Sequence, residues 1–321
     1  MVIDVHAHYI PREISHGIYS DLFNMETRDH ECFMIVGGHE IELADKGLVD
    51  SEKLLKDMDQ AGIDMCFISP PPFCFYYEHS KCPDWTRAFN SSMSEDLSKN
   101  APRFRYLATL PLCDMMSTLE ELDTVLQDPL CAGVEIATNV AGIELDDMSL
   151  HPFWRIAGET GLFVLIHPHY TVRTARFDRY HLRNLIGNPL DTALAAFALM
   201  TGDIVGRFPG VKICLSHAGG YTPYAIARFE HARQVRKEFA SVDTPYEKRC
   251  RDLYYDTVLH DPETLSFVAD KISVSHLLLG SDYPFDMGDN DPVQTVKAIG
   301  LGEDEQEAIL SGNIKRLFGT L

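Results

Sequence analysis

The sequence predicts an α/β fold, a (β/α)8 TIM-type barrel in a single domain spanning 1–321 with a small β-hairpin insertion after the first strand. Three observations predict it. Eight short, apolar, β-rich runs recur along the chain, and segments with helical spacing and recognisable caps separate them. Strand interiors such as Phe163-Val164-Leu165-Ile166 are apolar on both faces, the pattern of a parallel sheet covered by helices. Eight such units close naturally into a barrel. An open doubly wound sheet is the alternative, but no G-x-G-x-x-G follows the first run.

The runs, in order, are Val2–His8, Ile63–Pro70, Arg105–Pro111, Gly133–Ala137, Phe163–His167, Val211–His217, Leu253–Leu259 and His276–Asp282. Ser51 opens a helix carrying Leu54, Leu55 and Met58, and Gly62 is placed to end it. Trp85–Lys99 follows the second run, Met115–Leu126 the third and Pro152–Glu159 the fourth. Asn188-Pro189 opens the apolar stretch that reaches Phe208, and Pro223–Phe239, Pro262–Lys271 and Glu303–Phe318 complete the series. Two stretches depart from this repeat. Within about 24–48, Cys32–Val36, Gly37-Gly38 and His39–Leu43 predict a hairpin with a two-residue turn over the barrel's carboxyl end. Thr171–Gly187, rich in Arg, predicts a substrate loop after the fifth strand.

Composition narrows the function classes. The chain carries 28 basic and 48 acidic side chains, a net charge of −20, with 45% hydrophobic and 24% charged residues. Disorder, coiled coil and collagen are excluded. So negative a field repels phosphate backbones and anionic lipid surfaces, and no basic patch offsets it, which argues against nucleic-acid and peripheral-membrane roles. No window approaches the roughly 18 apolar residues of a membrane span, and no basic stretch followed by an apolar core opens the chain. A cytoplasmic protein is therefore expected. The eight cysteines (32, 66, 74, 82, 113, 131, 214 and 250) stand singly, without C-x-x-C, and are expected to be reduced and mostly buried; Cys74 follows a Pro-rich turn but is read as core.

The chemistry concentrates at strand ends. His6 and His8 lie two apart, so both imidazoles point to one face and can reach one ion; Asp4 is expected to share that face at a deeper level. His167 ends the fifth run, His217 the sixth and Asp282 the eighth. All eight carboxyl ends of a barrel open on one face, so these residues converge. Neutral imidazoles and a carboxylate suit Zn²⁺, with Mn²⁺ also possible, and leave a coordination position open for catalysis.

With these residues in view, the sequence resembles the amidohydrolase superfamily, in its aminocarboxymuconate semialdehyde decarboxylase branch. Nearly the whole chain takes part. The shared motifs are Asp4-Val5-His6-Ala7-His8, His167-Pro168, Ser216-His217-Ala218-Gly219-Gly220, Leu259-His260-Asp261-Pro262 and Gly280-Ser281-Asp282-Tyr283-Pro284-Phe285; Pro102-Arg103-Phe104 and Arg207-Phe208-Pro209 also fit. The resemblance implies a metal-dependent, oxygen-independent decarboxylase in aromatic compound catabolism, usually with zinc and as a homodimer. It makes His6, His8, His167 and Asp282 the metal ligands and His217 the water-activating or proton-handling histidine. By its spacing from His217, Arg228 matches an arginine that binds a substrate carboxylate from the neighbouring subunit.

The pattern also departs from that branch. Counting back from Met58-Asp59-Gln60, a second carboxylate-binding arginine would fall at about Glu42, where the charge is reversed. Tyr180-His181-Leu182-Arg183-Asn184-Leu185 resembles a segment carrying two tryptophans, here replaced at about His181 and Asn184, so a more polar pocket is expected. A hydroxylated aromatic or pyridine monocarboxylate therefore fits better than the branch's dicarboxylate. Phe285 and Phe73 are candidates for stacking on a planar substrate, His260 for a supporting role, and His169 has no assigned role. The competing function is a hydrolase of a lactone, amide or ring C–N bond, in which Asp282 would accept the proton. The acidic excess is expected on solvated helices and loops, among them Glu120, Glu121, Asp123, Glu144, Asp146, Asp147, Glu303, Asp304, Glu305 and Glu307, around a locally positive mouth.

Overall fold

A computed structural model describes residues 1–15, 22–28, 31–36, 39–42, 46–169 and 174–319. In chain order its strands are β1 (Ile3–His8), β2 (Phe23–Arg28), β3 (Glu31–Val36), β4 (His39–Glu42), β5 (Met65–Ser69), β6 (Phe104–Ala108), β7 (Cys131–Ala137), the two-residue β8 (Asn139–Val140) and β9 (Ile143–Glu144), β10 (Phe163–His167), β11 (Lys212–Leu215) and β12 (Tyr254–Tyr255). One curled parallel sheet runs β1-β5-β6-β7-β10-β11-β12. These strands are rich in β-branched, aromatic and other apolar residues and are buried on both faces, as a helix-covered parallel sheet requires. On its inner side Ile3, Val5, Met65, Phe67, Leu107, Phe163, Leu165 and Cys214 form one apolar cluster, and the larger cluster lies between sheet and helices.

The eighth run is not a regular strand. His276 lies in a short 3-10 turn, yet the segment after it bonds to both edges of the sheet. The Leu278 N–H donates to the Tyr255 carbonyl (2.9 Å), the Val5 N–H to Leu279 (2.8 Å) and the His8 N–H to Tyr283 (2.7 Å). Likewise the expected strand Leu253–Leu259 pairs only at Tyr254–Tyr255.

β2, β3 and β4 form an antiparallel sheet in which Val36 opposes His39. Gly37-Gly38, the turn read from the sequence, lie outside the described residues. β2 was not anticipated. Its sequence, Phe-Asn-Met-Glu-Thr-Arg, offers a weak apolar alternation that only pairing with β3 fixes.

The helices follow the expected segments with informative differences. Asp50, not Ser51, caps Ser51–Ala61, its carboxylate accepting from the N–H groups of Glu52 and Lys53, while Gly62 ends the helix at φ 71°. The stretch from Asn188 breaks after Thr201, where Asp203 takes φ 56°, and a short helix Ile204–Arg207 follows. The helix expected over Pro223–Phe239 is Thr222–Val235 followed by a 3-10 turn, and the last helix contains a π segment at Ala308–Gly312. Glu121 is buried, not solvated, with its carboxylate accepting from Asn90 Nδ2 at 2.7 Å. Among the described residues no helix is long and apolar enough to cross a membrane.

Candidate active site

A register shift in β1 re-aims its side chains. Asp4 pairs with Cys66 but Ala7 with Ile68, so one extra residue is accommodated between them. This inverts the alternation: Ile3 and Val5 face the inner cluster, and above the shift His6 and His8 turn inward too. Asp4 consequently does not share their face. It lies on the helix side, where it accepts from Ser281 Oγ (2.5 Å) and the His6 N–H (2.9 Å), and burial pushes its carboxyl up to about 6 against those bonds.

The ligand atoms of His6, His8, His167 and Asp282 gather within 4.8 Å of one another, all buried. His6 Nε2 and His8 Nε2 are 3.2 Å apart, and Asp282 Oδ1 lies 3.4, 3.1 and 3.9 Å from the Nε2 atoms of His6, His8 and His167. Every ring is oriented from behind. His6 Nδ1 meets Asp256 Oδ2 at 2.6 Å, His8 Nδ1 meets the Pro70 carbonyl and Ser69 Oγ at 3.1 Å each, and His167 Nδ1 meets the Pro168 carbonyl at 3.0 Å. Such partners select the tautomer that leaves Nε2 free for an ion.

The electrostatics fit a cation. Burial, and for His167 also the neighbouring imidazoles, holds His8 and His167 below the usual histidine range, in the neutral form a metal needs. Burial alone would also lower His6, but the charge of Asp282 and the bond to Asp256 raise it, so the two carboxylates favour positive charge at this point. Burial likewise opposes ionisation of Asp282, yet the charge of His6 and bonds from His217, His6 and His8 hold it well below the carboxylate range. His167 Nε2 is buried and has no hydrogen-bond partner. Three inward imidazole nitrogens, one of them orphaned, and a carboxylate make a donor set that one divalent ion would satisfy.

His217 joins this group from the other side: its Nε2 is 3.3 Å from Asp282 Oδ2, and unlike the four it is part-exposed, at 16%. It occupies a left-handed backbone conformation (φ 51°), as do Ala218 (φ 49°) and Asp282 (φ 59°). Each such residue costs of order 1–3 kcal/mol and persists where its surroundings hold it. For the first two the holder is Asp256, whose carboxylate accepts from the His217 N–H (2.9 Å) and the Ala218 N–H (2.7 Å) while engaging His6. Burial would raise Asp256, but the His6 bond, the charges of His6 and His217 and the Ala218 N–H leave it net lowered. Sequence reasoning did not single it out, although it directly follows β12 at the level of the other strand-end groups. Glu135 was also missed. It is wholly buried in β7, near enough to feel His6, Ser69 and Asp282, and burial pushes it well up.

His217 and Asp282 open into a cavity of about 880 Å³. Its wall includes Leu185, Pro189, Val258, Leu259, Phe267 and Met287, so the expected polar pocket is largely apolar. Asn184 and the exposed His260 line it, but His181 is exposed and does not. Among the described lining residues none is Lys or Arg, and Asp261 and Glu263 add negative charge. The described side chains thus do not make the mouth positive. Arg228 is exposed on the helix Thr222–Val235, away from the lining. Glu42 belongs to β4, and its side chain lies outside the described residues. The Phe285 ring stands 5.1 Å from that of His8 and 6.5 Å from Phe73, while His169 meets Phe75 edge-on at 6.0 Å.

Comparisons with known proteins find similar chains of nearly matching extent. The 2-amino-3-carboxymuconate-6-semialdehyde decarboxylase of Dictyostelium discoideum is 29% identical over 99% of this chain and 91% of its own. A 2-keto-4-carboxy-3-hexenedioate hydratase of Sphingobium is 22% identical over 100% and 97%. The 5-carboxyvanillate decarboxylase of Sphingomonas paucimobilis superposes with a TM-score of 0.84 at 20% identity, covering 100% and 99% of the two chains. The dihydroxybenzoic acid decarboxylase of Polaromonas, solved with manganese, gives 0.79 at 18%, covering 99% and 96%. The amidohydrolase family model matches residues 3–320, and the chain therefore belongs to the amidohydrolase family.

Proposed function

We propose that the protein is a carboxy-lyase that releases CO2, without oxygen, from a small aromatic, heteroaromatic or unsaturated monocarboxylic acid. The observation that carries this reading is the buried His6–His8–His167–Asp282 set with His217 beside it at the floor of an open apolar cavity. The decarboxylases among the similar proteins support it. We assign the four residues as ligands of Zn²⁺, with Mn²⁺ the alternative that the Polaromonas neighbour suggests. When bound, the metal would supply positive charge at the substrate carboxylate and its neighbouring oxygen.

The chain's own residues then have defined tasks. Losing CO2 from a planar acid strands an electron pair on carbon unless that carbon is protonated first. His217 Nε2 is the group placed to hold and deliver that proton, with Asp282 Oδ2 orienting the ring. Phe285 packs against His8 and would limit the tilt of a planar ring, and the apolar wall excludes water. Without Lys or Arg among the described lining residues of one chain, the substrate carboxylate would meet its counter-charge at the metal and at an arginine supplied by a neighbouring copy. We further propose a single closed (β/α)8 barrel with the antiparallel sheet as its insertion, a cytoplasmic location, and a homodimer in which Arg228 of one copy serves the neighbour's site.

The hydratase relative favours a second reading, activation of water, with Asp282 accepting its proton as in a hydrolase. One experiment separates them. Purified protein is analysed for metal and incubated anaerobically with a panel of hydroxybenzoates, pyridine carboxylates, lactones and amides in labelled water. CO2 release from an acid supports the lyase; label in an acid product without CO2 supports the hydrolase. A preference for the carboxymuconate semialdehyde would overturn the monocarboxylate assignment.

A further inference from the structure

Beneath the metal centre the apolar inner side of the sheet is interrupted by a carboxyl, Glu135 of β7. Its chain neighbours Val134 and Ile136 belong to the helix-side cluster and its cross-strand partner Leu165 to the inner one, so Glu135 points inward. Leu165 lies two residues before His167 in β10, which sets Glu135 one inward layer below the imidazoles. It is wholly buried, and neither of its oxygens has a hydrogen-bond partner. Burying a carboxyl in that condition is costly, and native interiors rarely do so without a reason.

Two hydroxyls stand beside it. Val134 pairs with Ala108, so the register continued by one residue sets Thr109 next to Glu135. Thr109 lies two residues beyond the inward Leu107, and its buried Oγ1 also lacks a partner. Its backbone is pinned on both sides by Asn90: the Thr109 N–H donates to Oδ1 at 3.0 Å and the carbonyl accepts from Nδ2 at 2.9 Å. The second hydroxyl is Ser69, two residues beyond the inward Phe67 of β5. Alternate strands of a sheet curled this way fill common inward layers, and Ser69 is close enough to bear on the Glu135 charge. Ser69 pairs with His8 across β1 and β5, and its Oγ is 3.1 Å from His8 Nδ1. The Pro70 carbonyl, also 3.1 Å from that nitrogen, can only accept, so Nδ1 carries the hydrogen and Ser69 Oγ accepts from it. The Ser69 hydroxyl hydrogen is then left for the Ala7 carbonyl, at 3.1 Å, or for a carboxyl.

We infer that Glu135 is a positioning residue of the metal centre: the hydroxyls of Ser69 and Thr109 donate to its two oxygens, and Ser69, so oriented, holds the Nδ1–H of His8. This role depends on His8 being a metal ligand. The arrangement pairs both carboxyl oxygens and the Thr109 hydroxyl at once. It also links the ion to the frame of the sheet, since Asn90 fixes Thr109, Thr109 and Ser69 fix Glu135, and Ser69 fixes the ring whose Nε2 faces the metal set. Glu135 does not line the cavity, so it acts on the ligand geometry and not on the substrate.

The test is zinc binding by the purified protein, measured by competition with a chromogenic chelator, with circular dichroism to check folding. Glu135→Met, which keeps the bulk and removes both acceptors, should weaken zinc binding about tenfold, and Ser69→Ala at least as much. Glu135→Gln keeps an acceptor and should stay within about threefold of the parent. The double variant Ser69→Ala/Glu135→Met should bind no more weakly than Ser69→Ala, because the two groups act in series. Where Glu135→Met does not fold, Thr109→Val carries the test: it touches no ligand, yet it should weaken zinc binding, and the loss should vanish in the Ser69→Ala background. Additive losses in the double variant, a Glu135→Gln as weak as Glu135→Met, or parent affinity in Glu135→Met or Thr109→Val would overturn the role of Glu135 and leave the ligand set standing. A parent protein that binds no zinc would overturn the ligand set, and the role of Glu135 with it.

Discussion

The floor and the wall of the candidate site are built in opposite ways. On the floor each histidine of the metal set is held by a partner behind it, and Asp256 serves His6 and two backbone N–H groups at once. Along the wall, Phe267, Leu185 and Tyr224 are 40%, 44% and 83% exposed and meet the cavity with apolar surface. A floor whose rings are each held from behind by a hydrogen bond fixes geometry, as chemistry requires; an apolar wall contributes affinity that grows with contact area and tolerates change. Replacements on the floor should therefore alter rate or metal content steeply, and those on the wall should alter affinity gently.

His217 offers the sharpest test, because it belongs to the floor without belonging to the ligand set. His217→Ala should retain the metal content of the parent protein and lose roughly 10²–10⁴-fold in turnover, the contribution of a positioned proton donor. Retention of full activity would remove the proton role; loss of metal would make His217 a ligand.

Asp256→Asn comes next. The amide keeps an acceptor for one N–H but holds His6 Nδ1–H less firmly than a carboxylate does, so metal affinity should fall about 10–100-fold, as for other groups that orient a ligand. A competition titration with a chromogenic chelator reads this directly. If affinity is unchanged while turnover falls, Asp256 acts through the backbone of His217 and Ala218, and the floor's two tasks separate.

The same contrast explains what the sequence made legible. Strand-end histidines are readable because a parallel sheet sends every carboxyl end to one side, so His6, His8, His167, His217 and Asp282 could be grouped before any contact was known. Asp4 was misplaced because alternation was counted through a register shift that only pairing with β5 reveals. Asp256 lies within a run read as strand, but nothing local distinguishes a carboxylate that clamps two left-handed residues from one facing solvent. On the wall, two departures from the family pattern suggested polarity, yet the cavity takes its character from Val258, Leu259 and Phe267, which lie far along the chain.

On the wall itself, Phe267→Ala should raise KM for apolar-substituted acids by up to about tenfold, since losing a partial apolar contact costs of order 1 kcal/mol, and leave kcat unchanged. Steady-state kinetics on acids of increasing alkyl length measures it. A fall in kcat with constant KM would mean that the wall, like the floor, positions the reacting group.

The smallest effect concerns how the wall is anchored. The helix Thr222–Val235 supplies Pro223 and Tyr224 to the cavity and is tied down by Glu230, which accepts from Arg233 (2.7 Å), Gln234 (3.0 Å) and the Tyr246 N–H (3.1 Å). The Arg233 bond, against some desolvation, lowers the Glu230 carboxyl from 4.5 to about 2. A carboxyl lowered in the folded state adds stability that is complete above its unfolded value and is lost as pH falls through the folded one. In metal-free protein, the gap in urea midpoint between the parent and Glu230→Gln should therefore be widest near neutral pH and close as pH falls from about 4.5 toward 2. A pH-independent gap would assign the anchor to hydrogen-bond geometry instead of charge. A gap accompanied by altered metal affinity would show that the wall's anchor reaches the floor, and the two regions would no longer be independent.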